Sequence, residues 1–137
     1  MQQQSDAIFM IRPAAFGFNP ETAASNAFQQ KGNSKNILEK VWVEFDAMVA
    51  CLCENGINVT VFNDTDLPKK PDAIFPNNWV SLHHNGRVVL YPMLAKNRRT
   101  ERRIDILEKL QTEFTIKQLI DISNEETEQV FLEGTGS

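Results

Sequence analysis

Trp79-Val80-Ser81-Leu82-His83-His84-Asn85-Gly86-Arg87-Val88-Val89-Leu90-Tyr91 carries the strongest fold signal of the chain. Two apolar runs, Trp79 to Leu82 and Val88 to Tyr91, flank a polar tetrapeptide that ends in Asn-Gly. Asn-Gly accepts the left-handed backbone of a tight turn, so the stretch predicts a β-hairpin. Toward the C-terminus, the basic segment Lys96 to Arg103 leads into a helix with Ile104, Leu107 and Leu110 on one face. Phe114 to Ile122 reads as the following strand. Asn124-Glu125-Glu126 is an acidic loop, and Val130-Phe131-Leu132 begins a further strand.

Toward the N-terminus the same order recurs. Ala7-Ile8-Phe9-Met10-Ile11 is a continuous apolar run, hence a buried strand. Pro13 to Lys35 is polar and longer than an ordinary connector, a length that often serves function. A helix starts near Asn36, with Ser34 or Asn36 as its N-cap. Val41, Phe45, Met48, Val49 and Leu52 share one helical face. Asn55-Gly56 ends the helix, and Ile57 to Phe62 is the next strand. Ala73-Ile74-Phe75 reads as a short extended piece. The segments Leu38 to Phe62 and Arg103 to Ile120 are alike, and a period of about 50 to 60 residues points to a repeat architecture of αβ units.

Composition narrows the function classes. The chain has 137 residues, room for one domain of ordinary size. Its net charge of −4 provides no general basic field for a phosphate backbone, which excludes non-specific nucleic-acid binding. No apolar run approaches the ~20 residues of a membrane helix, and no basic-then-apolar leader marks a secretory signal. Two cysteines, Cys51 and Cys53, fit a reducing, cytoplasmic setting. They are two apart on a helix and diverge, as His83 and His84 diverge on a strand, so neither pair forms a two-ligand metal site. The chain ends Phe131-Leu132-Glu133-Gly134-Thr135-Gly136-Ser137, a strand and a glycine turn with nothing beyond. The expectation is an N-terminal piece of a longer protein.

Three stretches carry candidate chemistry. Phe75-Pro76-Asn77-Asn78-Trp79 sets two amides beside aromatic rings, a combination suited to orienting a polar ligand. Its ordinary alternative is an Asn-rich turn. Glu133 stands at a strand end before a turn that admits close backbone approach, as suits an acid that binds a cation or orients a histidine. The alternative is a solvated strand-end glutamate. Arg98-Arg99-Thr100-Glu101-Arg102-Arg103 is a basic cluster in an acidic chain, and arginine is suited to a bidentate grip on a carboxylate. For most of these arginines the first turn of a solvated helix is explanation enough.

In order and spacing these pieces resemble the N-terminal part of the amidinotransferase and arginine deiminase superfamily of guanidine-modifying enzymes. Met10-Ile11-Arg12-Pro13 resembles the end of its first strand. Phe75-Pro76-Asn77-Asn78 stands where many members carry an aromatic residue, two variable residues and an aspartate. Arg98-Arg99-Thr100-Glu101 resembles the arginine pair and glutamate that follow, and Phe131-Leu132-Glu133-Gly134 resembles a Glu-Gly-Gly-Asp motif. The loop Phe16-Gly17-Phe18-Asn19-Pro20-Glu21-Thr22-Ala23 and the ending Glu-Gly-Thr-Gly-Ser resemble the citrulline-utilisation hydrolase branch most closely.

The resemblance implies a pentein fold, an α/β propeller of five ββαβ units. Residues 1–137 would be the N-terminal part of one such domain, about two units, ending before the catalytic histidine and cysteine. It implies that Glu133 contacts the nitrogen-bearing head of the substrate and steadies the histidine. Asn78 would take the place of the aspartate that grips a guanidinium. Arg98 would bind the substrate α-carboxylate, with Arg99 as the alternative, and Phe75, Asn77 and Asn19 would complete the binding set. None of His83, His84, Cys51 and Cys53 matches the family's catalytic pair. An amide at Asn78 donates and accepts, so it suits a neutral ureido head or an N-modified arginine as well as a guanidinium.

The implied activity is hydrolysis of a carbon–nitrogen bond in a citrulline- or arginine-like amino acid. It proceeds through a cysteine-bound intermediate and needs no metal or organic cofactor. An amidinotransferase, or a non-catalytic amino-acid-binding module, are the other readings. The implied partner is a small amino acid, with no nucleic acid and no membrane. Open strand edges imply self-association as a homo-oligomer.

Overall fold

The computed structural model describes residues 5–23 and 36–134. The N-cap candidate Ser34, most of the long polar loop, and Thr135, Gly136 and Ser137 lie outside them. The chain divides into two compact units, Met1–Ile74 and Phe75–Ser137.

The first unit is a βαβ arrangement. Strand β1 (Ala7–Arg12) pairs in parallel with β2 (Asn58–Asn63), in a register running from Ala7 opposite Asn58 to Arg12 opposite Asn63. Aromatic and β-branched residues fit the pleat, and the Phe9 and Phe62 rings meet edge-on at 6.0 Å. A short helix α1 (Pro20–Ala23) precedes the main crossover helix α2 (Ile37–Glu54). Asn36 stands at the N-cap position of α2 but makes no side-chain capping bond. At the other end Gly56 takes φ +83°, its N–H reaching Cys53 O, while Ile57 N–H reaches back to Leu52 O. Those bonds satisfy the last helical carbonyls, which is why Asn-Gly stops the helix there.

Helix α2 buries less of its apolar stripe than its periodicity suggests. Phe45 is buried, Val41, Val49 and Leu52 are half-buried, and Met48 is 55% exposed. Polar ties reinforce its seat. Arg12 forks onto Asp46 with two bonds of 2.9 Å, lies 4.7 Å from the Trp42 ring centroid, and Trp42 Nε1 donates to Pro13 O. The Arg12 hydrogen bonds hold the Asp46 carboxyl below its usual range.

After β2 the chain winds around a buried lysine. Lys70 Nζ donates to Thr65 O, Thr65 Oγ1 and Pro68 O and pairs with Asp64 at 3.2 Å. The expected extended piece at Ala73-Ile74-Phe75 is absent. Residues 71–74 form a turn, with Ala73 N–H bonded to Lys70 O. The apolar character there serves burial of Ala73 rather than a sheet.

The second unit has the ββαβ order. Strand β3 (Val80–Leu82) runs antiparallel to β4 (Arg87–Leu90), with Val80 opposite Leu90 and Leu82 opposite Val88. Gly86 supplies φ +81° in the turn, as the hairpin reading requires. Helix α3 (Ile104–Glu113) crosses to β5 (Gln118–Asp121), which pairs in parallel with β4. The core gathers Trp79, Val88, Met93, Ile106 and Leu110, all essentially buried.

Three expectations are corrected in this unit. The buried face of α3 is Ile106, Leu107 and Leu110, whereas Ile104 is 72% exposed. Six residues before Leu110, Ile104 is rotated about 120° away from it around the helix. The strand expected from Phe114 to Ile122 is confined to β5, because Phe114 N–H still bonds Leu110 O. Val130 to Leu132 enters no ladder among the described residues. Gln129 takes a left-handed turn (φ 59°), and isolated bonds follow: Val130 N–H to Glu125 O, Leu132 N–H to Pro92 O and Gly134 N–H to Asn78 O. No helix is long and apolar enough to cross a membrane among the described residues.

Candidate functional site

Five of the six residues singled out from the sequence lie in the second unit: Phe75, Asn77, Asn78, Arg98 and Glu133. Pro76 opens a 3-10 turn, Pro76–Asn78, its fixed φ suiting a first helical position. That turn delivers Asn78 just before β3. A second 3-10 stretch, Lys96–Glu101, carries Arg98.

Arg98 is the hub. It is 5% exposed, and its guanidinium meets Glu101 in a fork, Nε to Oε1 and Nη2 to Oε2, both at 2.9 Å. Nη1 donates to Asn78 Oδ1 at 3.1 Å, and Nη2 also reaches Phe75 O at 3.2 Å. Every nitrogen of the head is thus engaged inside the protein.

Asn78 is fixed from both ends. Its oxygen accepts from Arg98 and its Nδ2 donates to Gly134 O at 3.2 Å. The charged donor on one side and the carbonyl on the other determine which way the amide points. Among the described residues, one Nδ2 hydrogen has no acceptor. Gly134 permits this contact, since an added Cβ would strike the Asn77 carbonyl oxygen and lie 3.1 Å from the Tyr91 ring. Asn77 itself points an exposed side chain outward, and Phe75 is half exposed.

Glu133 is held without being saturated. Its Oε1 accepts from Leu94 N–H at 3.2 Å, while Oε2 lies 4.0 Å from Arg98 Nη1. Its side chain is 30% exposed. A carboxylate with one oxygen anchored and the other open can receive a cationic or hydrogen-bond-donating group.

A second acid, Glu126, went unremarked as a site residue in the sequence. It accepts from Met93 N–H at 2.7 Å, forks with Arg102 and pairs with Arg99 at 3.2 Å. Burial, the largest influence on it, pushes its carboxyl up. The Arg102 and Met93 hydrogen bonds, with the charges of Arg102 and Arg99, outweigh that and hold it below the usual range. No local spacing links it to Arg102, because the pairing depends on how α3 and β5 return the chain. Glu101 was visible as part of Arg-Arg-Thr-Glu, and its i+3 spacing from Arg98 is the signal for their pairing.

Asn19 belongs to the first unit. It is fully buried, its Nδ2 donating to Asp72 Oδ2 at 2.6 Å and its Oδ1 accepting Glu21 N–H at the start of α1. Thr22 Oγ1 also reaches Asp72. Asp72, likewise buried, had no distinguishing motif in the sequence. Cys51 and Cys53 are free thiols, both exposed on α2. His83 shares Ser81 Oγ with the Tyr91 hydroxyl. Among the described residues no group of three His, Cys, Asp or Glu is placed to hold a metal ion.

The profile of a family described as N,N-dimethylarginine dimethylhydrolase, eukaryotic, matches residues 12–137. No curated protein sequence matches the chain. Among solved structures, one similar chain is a dimethylarginine dimethylaminohydrolase carrying a histidine-to-glycine change, in an adduct with S-methyl-L-thiocitrulline. The TM-score is 0.59 at 17% identity, covering 87% of this chain and 42% of that one. Unliganded AgrE gives a TM-score of 0.63 at 17% identity, over 95% of this chain and 17% of that one. AgrE with ornithine and NAD+ gives 0.64 at 17% identity, over 96% and 17%. The chain therefore spans less than half the length of these structures, and likeness at this identity speaks for the fold alone.

Proposed function

The chain belongs to the N,N-dimethylarginine dimethylhydrolase family, within the superfamily of amidinotransferases and arginine deiminases, and we propose that it forms part of a hydrolase for the head group of an arginine-derived amino acid. Water would add to the central head-group carbon, a carbon–nitrogen bond would break and the amine would leave with a proton. For an N-methylated arginine the products are a ureido amino acid and a methylamine. The expected route is attack by a cysteine thiolate, followed by hydrolysis of the covalent intermediate, with a histidine moving protons. Cys51 and Cys53 have no part in it.

The observation that carries this reading is the half-open Glu133 carboxylate, one bond removed from an orientation-fixed Asn78 through Gly134. Glu133 Oε2 can accept from a head-group nitrogen, and the remaining Nδ2 hydrogen of Asn78 can contact an adjacent acceptor. Protein expressed from its full reading frame, given Nω,Nω-dimethyl-L-arginine, should release dimethylamine and L-citrulline in equal amounts. Glu133→Gln should lower that rate by at least about tenfold, the loss of one charge-assisted contact. Amine release only when an acceptor amine is present would instead favour a transferase, and binding without turnover a recognition module.

A further inference from the structure

Tyr91, Pro92 and Met93 follow β4 and stand in no strand, yet their backbone groups are all engaged. Pro92 has no N–H to give to a ladder. Tyr91 N–H bonds Trp79 O at 3.0 Å, and Tyr91 O accepts from Arg102 Nη1 at 3.2 Å. Pro92 O accepts Leu132 N–H. Met93 is gripped on both sides: its N–H donates to Glu126 Oε1 at 2.7 Å, and its carbonyl accepts from Arg99 Nε at 2.9 Å. The N–H of Leu94 then donates to Glu133 at 3.2 Å. Charged side chains here satisfy backbone groups that a neighbouring strand satisfies elsewhere.

Glu126 is the centre of that grip. It forks with Arg102 at 2.6 and 3.0 Å and lies 3.2 Å from Arg99 Nε. Its charge therefore holds both arginines that bond the carbonyls of Tyr91 and Met93, and its own oxygen takes the Met93 N–H. What it fixes reaches the open acid through one peptide unit. Leu67–Pro68 is the one cis bond among the described residues, so the Met93–Leu94 bond is trans and its C=O and N–H point in opposite directions. Arg99 holds the carbonyl end and Glu133 receives the N–H end. A cation on the carbonyl polarises the peptide and strengthens its N–H as a donor. Rotation of that peptide would turn a carbonyl oxygen toward Glu133 Oε1, acceptor against acceptor, and the grip on Met93 opposes it. Leu94 is 53% exposed, so its bond to Glu133 competes with water and gains from a donor held in place.

We propose that Glu126 is a positioning residue for the head-group acid: through Arg99 and the Met93–Leu94 peptide it sets the direction of the Glu133 carboxylate. Its bearing on ligand binding rests on the amino-acid reading above. The test is NMR of the 15N-labelled chain in two parts. Without ligand, Glu126→Gln should move the Leu94 N–H resonance upfield, with Glu126→Asp between that variant and the native chain. With ligand, Nω,Nω-dimethyl-L-arginine should bind Glu126→Gln about threefold or more weakly than the native chain. The same substitution should change nothing in a Glu133→Ala background, because a residue that acts through Glu133 has no effect without it. Thermal midpoints show which variants fold. If Glu126→Gln does not, Arg99→Gln, which removes the donor to Met93 O, carries both readings. A Leu94 resonance that stays in place would overturn the positioning role and leave the proposed function standing. An equal change of affinity in both backgrounds, zero included, would overturn it as well, since Glu126 would then serve the fold alone. If the native chain binds no dimethylarginine, the amino-acid reading falls, and the Leu94 resonance alone decides whether Glu126 sets the direction of Glu133.

Discussion

A guanidinium taken out of water needs a counter-charge held in good geometry, and Glu101 provides it for Arg98 through two bonds of 2.9 Å. Glu101→Gln keeps the shape and removes the charge. It should cost the second unit about 3 kcal/mol or more, read from urea unfolding, because the buried cation is left uncompensated. Glu126 makes a pH-dependent contribution. Its carboxyl is held below the usual range in the folded protein, so the folded state binds fewer protons than the unfolded one at mildly acidic pH. The contribution is complete above the unfolded glutamate value of about 4.3, and it fades as pH falls through the lower folded value. Unfolding midpoints from about pH 7 down to about pH 3 should therefore fall less steeply for Glu126→Gln than for the native chain. Equal slopes would show that Arg99 and Arg102 do not depend on its charge.

At the scale of elements, apolar spacing located α3 and its buried Leu107 and Leu110 but put Ile104 on that face in place of Ile106. Ile106, Leu107 and Leu110 are inside and Ile104 is outside. Leu110→Ala should then cost about 2–5 kcal/mol, as a cavity in a packed core does. Ile104→Lys should change stability by no more than about 0.5 kcal/mol. Thermal unfolding of the two variants distinguishes this packing from the face that spacing alone suggests. The hairpin and the end of α2 were legible because Asn85-Gly86 and Asn55-Gly56 place glycine where the backbone turns left-handed. The turn at residues 71–74 was not. The chain closes there through a backbone bond, Ala73 N–H to Lys70 O, just after the loop at Thr65 and Pro68 whose carbonyls the buried Lys70 ammonium gathers, and composition announces neither.

Across the whole molecule, a βαβ arrangement is followed by a ββαβ one, the element order read in the sequence, and the family match agrees with the motifs. The candidate site was legible as a set of residues: Phe75, Asn78, Arg98 and Glu133 come together within one unit. Their division of labour was not, because hydrogen bonds between residues 78, 98 and 134 depend on the return of the chain and not on local pattern. Each sheet ends on an outer strand that carries exposed apolar side chains, Val61 on β2 and Leu119 on β5. Such edges favour association, so sedimentation of the 137-residue chain should show species heavier than a monomer as concentration rises. A clean monomer throughout would contradict this. Recognition of a nitrogen-rich head group by Glu133 and Asn78 is the central proposal. Its most direct test is a crystal structure or NMR map of the chain with Nω,Nω-dimethyl-L-arginine, using L-ornithine, which lacks the head-group carbon, as control. The substituted head should contact Glu133 and perturb Asn78 and Gly134, while ornithine should leave them unmoved. Equal responses to both compounds, or binding that bypasses Glu133, would contradict it.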